Sequence, residues 1–122
     1  MSNHFGIPVK DIEESKKFYQ KLGFKVFNSW RKEGQKLEGL WMKNENGCKI
    51  ELVYHPANKN LKFPKIPEVL HLGIEVENLT EKIKELEKEN IKIVIPITKG
   101  VTVKCFAFIR DPDGFAIEFS EH

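Results

Sequence analysis

His4-Phe-Gly-Ile-Pro-Val9 and His71-Leu-Gly-Ile-Glu-Val76 are two copies of one stretch, and their spacing decides the fold. They stand 67 positions apart (71 less 4), and Gly47-Cys-Lys-Ile-Glu51 stands at the same distance from Gly114-Phe-Ala-Ile-Glu118, with no gap between the two matches. A fixed offset sustained along the chain marks an internal repeat. The segments between the matches agree in mechanism as well. Asp11 with Glu14, and Asn78 with Glu81, each put a capping side chain three positions before a carboxylate, the start signal of a helix.

The first helix continues through Phe18, Tyr19 and Leu22, the second through Ile83 and Leu86, apolar at three-to-four-residue spacing. Gly23 and its counterpart Asn90 are the residue types that best tolerate the left-handed conformation ending a helix. Strand-like stretches follow at Phe24 to Phe27 and Ile91 to Ile95. Leu37 to Met42 and Cys105 to Ile109 read as third strands, Cys48 to Tyr54 and Phe115 to Ser120 as fourth strands. The expected fold is therefore α+β, two tandem β-α-β-β-β modules within one domain over 1–122. Module one spans about 1–55, module two about 68–122, and the linker of about 56–67 holds Pro56, Pro64 and Pro67, which discourage regular structure.

A chain of 122 residues fits one domain or two half-size modules sharing a core, since a core built from each half alone would be marginal. With 40% hydrophobic and 31% charged residues it has the composition of a folded globular protein rather than a disordered one. Lys and Arg number 20 against 18 Asp and Glu, and the charges are interspersed, which argues against nucleic acid as a partner. No apolar run approaches the roughly 20 residues of a membrane span, and Met-Ser-Asn-His at the start carries no targeting pattern, so the expected location is cytoplasmic. Cys48 and Cys105 form no C-x-x-C pair and read as ordinary thiols.

Alternation along the strands says where the repeated histidines point. Phe5, Ile7 and Val9 share one face and His4, Gly6 and Pro8 the other; Leu72, Ile74 and Val76 divide from His71, Gly73 and Glu75 in the same way. Glu51 opposes Ile50 and Leu52, and Glu118 opposes Phe115, Ile117 and Phe119. A single His or Glu on such a face usually does no more than decorate it. Duplication alters that expectation: modules paired about a pseudo-twofold axis would bring two His and two Glu together. Two imidazoles and two carboxylates suit a divalent ion with more than four ligands, such as Ni, Co, Mn, Fe or Zn, whereas closed structural zinc sites favour cysteine.

The segments Val9-Lys-Asp-Ile-Glu-Glu-Ser-Lys-Lys-Phe-Tyr-Gln-Lys-Leu-Gly-Phe24, Ile50-Glu-Leu, Leu70-His-Leu-Gly-Ile-Glu-Val and Phe108-Ile-Arg-Asp-Pro-Asp-Gly-Phe-Ala-Ile-Glu118 resemble the vicinal oxygen chelate superfamily. Within it they are most similar to glyoxalase I, also called lactoylglutathione lyase. The resemblance covers nearly the whole chain and implies a curled sheet around a metal cleft. Its metal ligands, in the order His, Glu, His, Glu, match His4, Glu51, His71 and Glu118. Glu51 separates the chain from relatives with two His and one Glu, and from epimerases with Gln at the second position. Further implications are an octahedral site preferring Ni or Co, and a domain-swapped homodimer whose sites draw on both chains. The implied substrate is the hemithioacetal of methylglyoxal with a thiol. Glu118 is the implied general base and Glu51 its symmetric partner.

The thiol-binding half of the pattern departs from the family. An Arg four residues after the first ligand, an Asn four after the second and an Arg four before the second His are replaced by Pro8, His55 and Pro67. Lys99 and Lys104 are candidates to compensate. Trp41 and Phe106, with Trp30 and Phe63, are candidates to line an apolar substrate pocket, although strand aromatics more often serve core or interface. Asp111-Pro-Asp-Gly114 reads as turn chemistry. Two alternatives stand beside the lyase: a metal-free small-molecule binder of the bleomycin-resistance type, and a metal-dependent epimerase or isomerase on a substrate without a thiol.

Overall fold

The computed structural model describes residues 3–122; Met1 and Ser2, part of the N-terminal segment read above for targeting, lie outside the described residues. The chain divides into two compact units, Met1–Leu61 and Lys62–His122. Unit one runs β1 (His4–Val9), α1 (Ile12–Lys21), β2 (Lys25–Lys32), β3 (Leu37–Lys43) and β4 (Lys49–Tyr54). Unit two repeats the order as β5 (His71–Glu75), α2 (Leu79–Lys88), β6 (Ile95–Lys99), β7 (Cys105–Arg110) and β8 (Ala116–Glu121). Each unit holds one four-stranded mixed sheet, ordered β1-β4-β3-β2 and β5-β8-β7-β6. The first strand pairs with the last in parallel and the remaining pairs are antiparallel.

Both helices start and stop as their sequences dictate. The Asp11 and Asn78 side chains each accept a hydrogen bond at 3.0 Å, from the Glu14 and Glu81 amides. At the other end Gly23 (φ 96°) and Asn90 (φ 60°) turn left-handed. The following amides then bond back across the last turn, Phe24 to Tyr19 and Ile91 to Leu86, each at 3.0 Å. This closure buries Phe24 and Ile91 beside the helix. It also explains where the second strands depart from expectation. Both second strands sit later than expected: β2 takes 25–27 of the expected stretch but extends to Lys32, and β6 shares only Ile95 with 91–95. The apolar residues just after each helix serve its C-terminus.

Alternating positions of the central strands face the helix and form the core: Ile7, Val9, Met42, Ile50 and Leu52 with Tyr19 in unit one, and Ile74, Ile109, Ile117 and Phe119 with Leu79 and Leu86 in unit two. The stretch expected to lack regular structure is corrected by two short 3-10 helices, Pro56–Asn60 and Pro67–Val69. Asn58 fixes the first by donating its amide group to the carbonyls of Val9 (2.9 Å) and Val53 (3.0 Å). Arg110 fixes the chain before the second, donating to the carbonyls of Lys65 (2.8 Å) and Gly114 (2.6 Å). Proline supplies the first position of each 3-10 turn, where no amide hydrogen is required.

Candidate functional site

Parallel pairing of first and last strands places each His beside a Glu. In unit one Gly6 lies across from Glu51 and His4 across from Lys49; in unit two Gly73 lies across from Glu118 and His71 across from Ala116. The histidine is thus one same-face step from the carboxylate, and the space beside the glycine between them is open. A β-carbon at Gly6 would meet nothing within 4 Å, and one at Gly73 would sit 3.7 Å from Glu118 Oε1. The resulting pairs are nearly superposable in their distances: His4 Nε2 to Glu51 Oε1 is 3.6 Å, and His71 Nε2 to Glu118 Oε1 is 3.7 Å.

Those gaps are too long for hydrogen bonds. They are short enough for both atoms to reach a single ion at roughly 2.0–2.2 Å from each. The Nδ1 of the His71 ring, the nitrogen not turned to Glu118, is buried with no hydrogen-bond partner. The donor chemistry of each pair therefore fits a divalent metal. Among the described residues no three His, Cys, Asp or Glu group closely enough to hold an ion.

An aromatic ring from the third strand fixes each imidazole edge-on. Trp41 lies 4.4 Å from His4 between ring centroids, and Phe108, at the same module position, lies 5.2 Å from His71. Trp41 thereby lies next to the His4–Glu51 pair. Phe106 packs at 5.9 Å on Phe108, one step further from His71. Phe108 itself was not among the sequence candidates, although the offset from Trp41 would have found it. Phe63 packs on the core residue Phe115 at 5.4 Å.

Of the two lysine candidates, Lys104 is engaged in unit two's own structure. Its ammonium lies 2.8 Å from Glu121, whose other oxygen accepts from the Leu79 amide at the start of α2, also at 2.8 Å. The hydrogen bond between them raises the Lys104 pKa and lowers that of Glu121. Lys99 is exposed at the end of the edge strand β6. His55 accepts from the Ala57 amide at 3.0 Å and so starts the 3-10 helix after β4. Asp111 accepts from the Asp113 and Phe115 amides, both at 2.9 Å, which makes Asp-Pro-Asp-Gly a turn as read. Burial pushes the Cys48 thiol above its ordinary pKa, which keeps it protonated and unreactive at neutral pH.

Two features of unit one escaped the sequence reading. The Trp30 indole donates a hydrogen bond of 2.7 Å to Glu51 Oε2. Lys25, Lys43 and Lys49 stand side by side across three strands, in line with His4, and the Lys43 and Lys49 ammoniums lie 5.3 and 5.8 Å from the ring of Phe27. Like charges placed directly opposite one another oppose folding. A signal for the indole contact existed in Gly39, a glycine inside a strand, which often marks a close approach.

Residues 2–119 match the model of the Glyoxalase/Bleomycin resistance protein/Dioxygenase superfamily. A lactoylglutathione lyase of Schizosaccharomyces pombe is 30% identical over 98% of this chain, which spans only 44% of that protein. A glyoxalase I of Leishmania major, described as trypanothione-dependent, superposes with a TM-score of 0.78 at 28% identity, over 97% of this chain and 84% of its own. A glyoxalase family protein of Enterococcus faecalis superposes with a TM-score of 0.81 at 27% identity, over 97% and 94%. Repeat, topology and family match agree: the chain belongs to the glyoxalase/bleomycin resistance protein/dioxygenase superfamily.

Proposed function

We propose that this protein is a metal-dependent, glyoxalase I-like lyase that converts the hemithioacetal of a 2-oxoaldehyde such as methylglyoxal to an S-2-hydroxyacylthiol. The observation that carries this reading is the repetition of one His–Glu pair, with matching separations of 3.6 and 3.7 Å. On this proposal His4, Glu51, His71 and Glu118 act as one four-donor set in a homodimer, with Ni or Co as the preferred ion. A divalent ion held there supplies Lewis-acid stabilisation of the negative charge that develops on the substrate's vicinal oxygens.

The chain's own residues do the rest. His4 and His71, each braced by an aromatic ring, keep their nitrogens in place. Glu118 removes the proton from the carbon bearing sulfur and returns it to the neighbouring carbonyl carbon, while the hydroxyl proton passes from the first vicinal oxygen to the second, so the reaction is an isomerisation with no net gain or loss of protons or electrons. Phe108, across from Glu118 and fully buried, keeps water from that side of the carboxylate. The lysine row beside His4 favours a thiol that carries carboxylates.

The test is metal content of the purified protein, followed by lactoylthiol formation from methylglyoxal with several thiols. Wild type and Glu118→Gln are compared after reconstitution with Ni²⁺ or Co²⁺. Tight metal binding, with turnover lost in the variant, is the expected result. Metal binding without turnover would redirect the site to another carbon-acid substrate. No metal binding at all would leave the binder of the bleomycin-resistance type.

A further inference from the structure

The two carboxylates share a fold position but are held differently. Glu51 divides its oxygens: Oε2 accepts from the Trp30 indole at 2.7 Å, while Oε1 faces His4 at 3.6 Å. The contact is at the short end of the range for a donor meeting a charged acceptor. Glu51 is also the more enclosed of the two, with 17% of its side chain exposed against 24% for Glu118. A glutamate has three side-chain torsions to fix, and each fixed in advance is entropy not lost on binding an ion.

The clamp takes two residues. Trp30 lies across from Gly39 in the β2–β3 ladder, and a β-carbon at Gly39 would fall onto the indole. The indole therefore lies over bare backbone to reach Glu51 one strand further on. Unit two has no equivalent. Gly39 corresponds to Phe106, which carries a ring where Gly39 has only backbone, and the residue across from Phe106 is Thr98, past an irregularity between Ile95 and Thr98. Glu118 faces Phe108 on that strand, which has no hydrogen to donate.

We propose that Trp30 is a positioning residue, seated by Gly39, that holds the Glu51 carboxylate in place as a metal donor. The inference rests on the metal-site reading above. Ligating carboxylates are ordinarily held by an outer partner, and removing that partner typically weakens metal affinity by about 10–100-fold.

The deciding experiment is calorimetric titration of the metal-free dimer with Co²⁺, comparing wild type with Trp30→Phe, which keeps a ring and removes the N–H. The expected result is a 10–100-fold loss of Co²⁺ affinity, an altered visible absorption band of the bound Co²⁺, and turnover that recovers as Co²⁺ is raised. In the metal-free wild type, the Trp30 indole proton should resonate downfield and exchange slowly, and Glu51→Ala, which removes the acceptor, should abolish both. If Trp30→Phe does not fold, Gly39→Ala displaces the indole instead and should show the same affinity loss. Wild-type Co²⁺ affinity in the folded variant would overturn the positioning role while leaving the metal site intact. Failure of wild type to bind Co²⁺ at all would overturn both.

Discussion

Set side by side, the two units agree in most of their backbone and differ in the second strand and in what surrounds the carboxylate. Caps, helix closures, strand order and the His–Glu separation recur from one unit to the other. Unit one then adds an indole clamp and a row of lysines, whereas unit two packs aromatics around its pair. Even the cation at one lysine position is redirected: Arg110, the counterpart of Lys43, is spent on the carbonyls of Lys65 and Gly114. A duplicated fold preserves the pair of donors, and divergence is written in the same-face neighbours, which cost the fold little to change.

The largest effect that would break this comparison is on turnover. Glu118→Gln should lower kcat by about 10²–10⁴-fold, the usual contribution of a positioned base, while Glu51→Gln should first lower metal affinity. Steady-state kinetics at saturating and limiting Co²⁺ separate the two, and identical behaviour of both variants would erase the proposed division.

Next in size are the glycines of unit one. Gly39→Ala forces a β-carbon against the Trp30 ring and should cost about 1–3 kcal/mol, as overpacking does. Gly6→Ala meets nothing within 4 Å and should stay within about 0.5 kcal/mol of wild type. Urea denaturation of the metal-free protein checks both.

The caps test how far the units match. Asp11→Ala and Asn78→Ala each remove one side-chain acceptor and should each cost about 0.5–2 kcal/mol. Hydrogen exchange should show each loss confined to the helix that the cap begins, α1 or α2.

Smallest is a pH effect specific to unit two. The Lys104 hydrogen bond, and then the Leu79 amide, lower the Glu121 pKa, so the folded state gains stability above the ordinary carboxylate pKa and loses it as pH falls through the depressed folded value. Lys104 is raised, so its share is present below the ordinary ammonium pKa and vanishes as pH rises through the elevated one. Thermal melts of wild type and Glu121→Gln should converge at the acid end. Unit one, with Tyr54 at the corresponding place, should show no counterpart.

Nearly the whole architecture was legible because its signals are local and repeated. Asp11 and Asn78 cap by reaching three residues ahead, Gly23 and Asn90 turn by their own backbone preference, and the central strands alternate because one face is buried. What misled were the second strands. β2 and β6 end their sheets as β1 and β5 do at the other side, but they are mostly exposed, so no hydrophobic alternation marks them. The apolar residues before them, Phe24 and Ile91, belong to helix closure. Ending β2 at Phe27 left Trp30 without a strand position and hid its bond to Glu51. Register across the irregularity between Val26 and Asn28 decides which side chain meets Gly39, and that register is set by tertiary pairing.

The pairing of first strand with last has a consequence for how the chain acquires its structure. His4 aligns with Lys49 and His71 with Ala116, each pair 45 residues apart, so neither sheet can complete its central ladder until its final strand has been made. Contacts of such separation slow folding, because loop closure must precede the reward of pairing. During synthesis unit one has all its strands before β5 emerges from the ribosome.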